Sequence, residues 1–282
     1  MLGHTAVGLN EVWGSWSLDP LVGFGLLASG ILYARGARRL TRPRSAARAA
    51  AFVGGLLAVA AALLSPLDRV SEALFSAHML QHLVLMVVAA PLLVVGRPLA
   101  TILLGLPRGV RRQAAPLRAA TAGPIRRLRR PAVAWVVLTI PLWAWHSPAL
   151  YTAALERAPV HALEHATFLL PSVLVWSIVL RGRPRDLHGV LGRALFLVAA
   201  ALQGAILGAL LLFATSPLYP VHADGPDRWG LTPLEDQQLA GALMWIPPSA
   251  VYLVAAAAIV FVAFRDVEAR TPDERMGAEV VT

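Results

Sequence analysis

The sequence predicts an all-α, polytopic membrane helical bundle of seven transmembrane helices, with the N-terminus outside and the C-terminus in the cytoplasm. Three observations predict it. The 282-residue chain is 57 % hydrophobic and only 15 % charged, the balance of a membrane protein rather than of an aqueous core. Its apolar residues gather into runs long enough, at about 1.5 Å per helical residue, to cross about 30 Å of hydrocarbon. The connections between those runs alternate in charge: all 25 basic residues are Arg, and 22 of them fall in alternate connections. Because cytoplasmic connections carry the excess of basic residues, that alternation sets the orientation.

In chain order the spans are expected at 19–34, 49–65, 74–95, 132–145, 160–180, 190–214 and 239–264. The first and fourth are short and draw on flanking residues. The stretch 99–106 is too short to cross and reads as an interfacial or re-entrant piece. Six arginines from Arg35 to Arg48 follow span one, and nine from Arg97 to Arg130 follow span three. Arg181, Arg183, Arg185 and Arg193 surround the turn after span five; Arg265, Arg270 and Arg275 follow span seven. Only Arg69, Arg157 and Arg228 lie on the other side. The expected layout is an outer tail at 1–18, a membrane domain at 19–264 with an Arg-rich cytoplasmic loop at about 97–130, and a cytoplasmic tail at 265–282. Residues 1–20 do not read as a cleaved leader, since they lack a basic n-region and carry Trp13, Trp16 and Asp19.

Composition also closes off function classes. A net charge of +9 is of the size that nucleic-acid binding uses, but the arginines sit in short tracts between apolar runs, so no nucleic-acid partner is expected. The tract between Arg108 and Arg130 is either a solvated linker or a contact with anionic membrane lipid. With no Cys, disulfides, thiolate metal sites and cysteine redox chemistry are excluded. No Walker loop, dinucleotide fingerprint or Ser-His-Asp order is present. The HALEH stretch at 161–165 is not a zinc-protease motif, which needs Glu directly after its first His. No enzyme is expected.

The chemistry lies in the histidines. His78 with His82, and His161 with His165, stand four apart, whereas eight histidines placed at random give about 0.2 such pairs. Residues four apart share a helix face, so each pair presents two imidazoles in one direction. On the predicted topology His78 and His82 lie about 10 and about 16 Å into span three, counted from Ser71. His146 follows span four, His161 and His165 open span five, and His222 sits in the loop before span seven. These six converge on the outer leaflet; His4 belongs to the outer tail and His188 to the cytoplasmic side. Met86 extends the His78–His82 stripe by four residues, and Met244 lies two turns below Gln237 in span seven. Imidazole with thioether suits copper, the thioether particularly Cu(I). The competing reading is a hydrogen-bonded interhelical network with Gln81 and Glu164 as partners. A third is a haem held axially by histidines of spans three and five, and a fourth is a permease with histidines as relays. At 231–238 a helix starts at Thr232 or Pro233. There Asp236 is either part of an acidic first turn or a carboxylate ligand or partner to an outer histidine.

At these residues the chain resembles the assembly factors of caa3-type cytochrome c oxidase, multi-span bacterial membrane proteins. The resemblance runs from about 16 to 264. It is carried by WSLDP at 16–20, SPLD at 65–68, FSAHMLQH at 75–82, PLLVVGRP at 91–98, WHSP at 145–148 with Leu150 and Tyr151, and VHALEH at 160–165. PLYP at 217–220, LEDQQL at 234–239, and Met244 with Trp245 complete it. It implies a role in assembling a haem–copper oxidase in a bacterial plasma membrane, at copper delivery or insertion on the outer side. The partners it implies are the oxidase subunits and outer-side copper chaperones. His78, His82, His146, His161, His165 and Asp236 are the residues it carries over, with Met86 and Met244 added by their softness as donors.

Overall fold

The computed structural model describes residues 12–40, 45–180 and 187–268. His4, Arg42, Arg44, Arg181, Arg183, Arg185, Arg270 and Arg275 lie outside them, as do most of both predicted tails. Among the described residues there are helices and no strand. The helices are α1 (Pro20–Ala37), α2 (Ala46–Leu63), α3 (Pro66–Ala73), α4 (Phe75–Leu83), α5 (Ala90–Gly96), α6 (Pro98–Gly105), α7 (Arg108–Leu128), α8 (Pro131–Trp145), α9 (Pro148–Glu156), α10 (Ala158–Leu180), α11 (Leu187–Leu212) and α12 (Pro233–Glu268). Six elements are long and apolar enough to cross a membrane: α1, α2, the continuous rod from α4 through α5, α10, α11 and α12. The predicted fourth span is α8, which with α9 forms a pair bent by 79°; the count reaches seven where that pair is taken as one span. The residues after this short span turn sharply at His146 and Ser147 before α9 begins.

Local chemistry explains the ends. Asp19 caps α1 by accepting from the Leu21 and Val22 amides at 2.7 and 3.0 Å, with Pro20 at the first helical position. Thr232 and Glu235 form a reciprocal capping box at the start of α12, so the polar stretch at 232–238 and the predicted seventh span are one helix. Arg39 donates to the Leu104 and Leu106 carbonyls at the end of α6, and Arg129 to the Ser177 carbonyl near the end of α10, as basic residues do at helix C-termini.

The third span differs from its prediction in two ways. Ser65 and Pro66 start a separate short helix, and the chain straightens at Leu74 before α4 begins at Phe75. His78 and His82 are therefore about 4 and about 10 Å from the start of their helix, shallower than a count from Ser71 gave. Further in, Val84–Ala89 form a π turn. Its cause is Pro91, which has no N–H to give. The Ala90 amide bonds the Leu85 carbonyl five residues back, leaving the Met86 carbonyl without its chain partner. The Trp176 indole of α10 donates to that carbonyl at 3.0 Å, as freed backbone groups at such turns require.

The predicted short piece at 99–106 is α6, folded back onto α1 by glycine contacts. A Cβ on Gly36 would lie 1.8 Å from the Thr101 carbonyl oxygen, and one on Gly105 would lie 1.9 Å from that of Leu32. Gly204 and Gly208 form a small-residue stripe on α11, where Gly208 likewise meets the Gly241 carbonyl of α12 and packs the two helices together within one chain. Gly204 of the same stripe is less tightly packed. In α7 no residue is buried; Val110, Leu117 and Leu128 share one face and most of its arginines the opposite one.

Candidate metal centre

The N-terminal turns of α4 and α10 bring the two histidine pairs together around a carboxylate. The His78 and His82 rings are 4.4 Å apart, centre to centre, and those of His161 and His165 are 4.2 Å apart. Across the helices His78 stacks on His161 at 5.4 Å, and His82 meets His165 edge-on at 5.4 Å. Glu164 lies between them: Oε2 is 3.4 Å from His78 Nε2 and Oε1 is 3.8 Å from His82 Nε2. His78 is fully buried and Glu164 is 1 % exposed. His78, His82 and Glu164 each place a donor atom within 4.8 Å of the others.

These atoms lack the partners that buried polar groups nearly always have. Both nitrogens of His78 and His82, both oxygens of Glu164, and Nε2 of His161 and of His165 have no aligned hydrogen bond. An ion pair without hydrogen bonds is poor compensation for removing charge from water. Two imidazoles and one carboxylate so placed, with two further imidazoles packed beside them, form a borderline-to-hard donor set of the kind that suits Cu(II) or Zn(II). Glu164, which the sequence offered only as a hydrogen-bond partner, is central here. Gln81 is not; it reaches the other way, donating to the Ala62 carbonyl and to Asp68, both at 2.8 Å.

Asp236 does not meet the imidazoles. Its Oδ2 accepts the Phe75 amide at 2.7 Å, and its Oδ1 accepts the Ser76 amide at 3.1 Å together with the Ser76 hydroxyl. Leu74, at the cap position of α4, has no side chain that can do this. Asp236 thus caps, from α12, the helix that carries His78 and His82.

Aromatic residues roof the cluster. Tyr151 packs edge-on against His78 at 5.1 Å and against Phe75 at 5.2 Å. Tyr219 donates to the His146 carbonyl at 2.8 Å. His222 sits outside the cluster: its Nδ1 hydrogen points to the Ala73 carbonyl and its Nε2 accepts the Tyr151 hydroxyl at 2.6 Å. Burial lowers the His222 pKa to about 4, His78 adds to the shift, and Asp236 and the Ala73 carbonyl oppose it. A histidine held neutral in the fold but free to protonate near 6.5 when unfolded contributes stability above 6.5. That contribution is lost as pH falls toward 4. Between pH 7.5 and 5 the loss is about 2 kcal/mol, and thermal unfolding of wild type against His222→Gln should show the wild type losing more over that interval.

His146, Met86 and Met244 are not in the donor group of His78, His82 and Glu164 but share a cavity with His82. His146 ends α8, with its Nδ1 hydrogen on the Leu142 carbonyl at 2.6 Å and its Nε2 3.3 Å from the sulfur of Met79. Met79, Met86, Met244, His82 and His146 line one small cavity of about 50 Å³. Sequence reasoning missed Met79, although it stands beside His78 in the motif itself.

Compared with protein families, residues 31–266 match the family described as the cytochrome c oxidase caa3 assembly factor. The match covers most of the chain, which belongs to that family. No curated protein and no solved structure matches it.

Proposed function

We propose that this member of the caa3 cytochrome c oxidase assembly factors is a non-catalytic copper-handling protein. In this reading it holds the ion on His78, His82 and Glu164, with His161 and His165 beside them, before the ion reaches the oxidase. The observation that carries the reading is a donor atom each from buried His78, His82 and Glu164 within 4.8 Å of one another, none with an aligned hydrogen bond, beside the equally unpartnered Nε2 atoms of His161 and His165. Copper here is cargo: a donor set without thiolate holds the divalent ion while leaving it exchangeable. The arginine distribution supports an outer-face position for the cluster in a bacterial plasma membrane, where copper chaperones and the copper-bearing oxidase subunit are the natural partners. A haem is disfavoured because the rings pack directly on one another at 4.2–5.4 Å, which leaves no slab for a porphyrin between them.

The test is copper content and a visible spectrum on detergent-purified protein, native and with His78→Ala/His82→Ala, beside caa3 oxidase activity in membranes carrying each form. Near-stoichiometric copper in the native protein, lost together with oxidase activity in the double variant, is the expected result. A Soret band instead would move the cluster to haem. Full oxidase activity in a double variant that folds would end the copper reading, and copper uptake into sealed vesicles would make the protein a permease.

A further inference from the structure

Beside the imidazole cluster lies a second set of donors of different chemistry. The Leu142 carbonyl can only accept, so Nδ1 of His146 carries the proton. In the neutral ring Nε2 is then a bare lone pair, and it faces the Met79 sulfur at 3.3 Å. A thioether has no hydrogen to give, so two lone-pair atoms meet with nothing between them. The contact is buried, with Met79 2 % and His146 8 % exposed. Met244 and Met86 line the same cavity, where they join Leu83, Leu138, Phe168 and other apolar groups. Three of the five methionines in the chain thus line one cavity of about 50 Å³ together with His146 and His82. Soft thioether and imidazole donors in apolar surroundings select a soft monovalent ion over a divalent one. The cavity carries no carboxylate, which the imidazole cluster does.

We propose that Met79 and His146, with Met244 and Met86 around them, form a second metal site for Cu(I), separate from the imidazole–carboxylate cluster. His82 borders both: it lines the methionine cavity and contacts Glu164 at 3.8 Å. His82 is therefore the one residue shared by the methionine cavity and the group of His78 and Glu164. The proposal rests on the metal-handling reading above for its biological sense, but its chemistry is independent.

The experiment uses full-length protein in detergent, with Ag(I) as a redox-inert stand-in for Cu(I) and Zn(II) as the probe of the imidazole cluster. Met79→Leu and Met244→Leu conserve volume, so the fold should survive. In each variant Ag(I) affinity should fall about tenfold or more, a difference of about 1.4 kcal/mol or more, while Zn(II) affinity stays at the native value. In His78→Ala/His82→Ala the order reverses, with Zn(II) lost and Ag(I) largely kept. Methionine ε-methyl resonances of the native protein should shift on adding Ag(I), those of Met79 and Met244 most. Unchanged Ag(I) affinity in both leucine variants, or no Ag(I) binding by the native protein, overturns the second site alone. Ag(I) binding that depends on Met79, in a protein that takes no Zn(II), leaves the second site standing and removes the imidazole cluster as a metal holder.

Discussion

Glu164→Gln is expected to stabilise the metal-free protein and to cripple metal binding. The carboxylate is 1 % exposed, and neither oxygen has an aligned donor; the nearest groups are imidazole nitrogens at 3.4 and 3.8 Å. A buried carboxylate so poorly compensated costs free energy, and a neutral amide of the same shape costs less while offering its own N–H to a bare imidazole nitrogen. Metal-free Glu164→Gln should therefore unfold at higher temperature, by a gain of about 1–2 kcal/mol. The same change removes the one carboxylate of the cluster among the described residues, so affinity for a divalent ion should fall about 100-fold, or about 2.7 kcal/mol. The opposite signs make the test discriminating, and thermal unfolding of stripped protein beside a Cu(II) titration reads both. A structural network with Glu164 as its acceptor predicts a less stable variant with unaltered metal behaviour, and that pair of results would sink the site.

How much of this was legible follows from where the information lies. Long apolar runs and alternating arginines are local signals, and the span positions came from them directly. The i, i+4 spacing of each histidine pair is local too, because it depends only on the helix period. Glu164 was within reach on the same grounds: it is three residues after His161, so a helix sets it beside the face the two histidines share. Its position between the pairs was not, because that needs α10 to face α4. Met79 stands one residue from His78 and so points about 100° away around the helix; its value depends on α8 lying on that side, which nothing in its own segment states. The break at Leu74 had a local sign in Ser65-Pro66, a helix start inside what read as a run-up to the span. Asp236 is the clearest limit: its acidic position in a first turn was visible, but the helix it caps begins 161 residues earlier.

Asp236 yields the sharpest separation of a positional role from a ligand role. One carboxylate stands where two helix N-termini meet, in the first turn of α12 and directly over the first amides of α4. The positive ends of both helices favour its charge. In Asp236→Ala the Phe75 amide, the Ser76 amide and the Ser76 hydroxyl lose their acceptor in a buried site, which should cost about 3 kcal/mol. The first turn of α4 should fray with it, and His78 stands in that turn, so metal affinity should fall as a consequence. Asp236→Asn keeps one good acceptor and is among the best capping side chains, so its loss should be about 1 kcal/mol, with metal affinity close to native. A ligand loses its function in both variants alike, because a neutral amide oxygen replaces an anion at the ion. Measured by thermal unfolding and Zn(II) titration, graded loss across Asn and Ala identifies a cap that holds the histidine helix in place. Equal loss of metal in both variants, with Asn as stable as native, would instead place Asp236 on the ion and require α12 to move toward the imidazoles when metal binds.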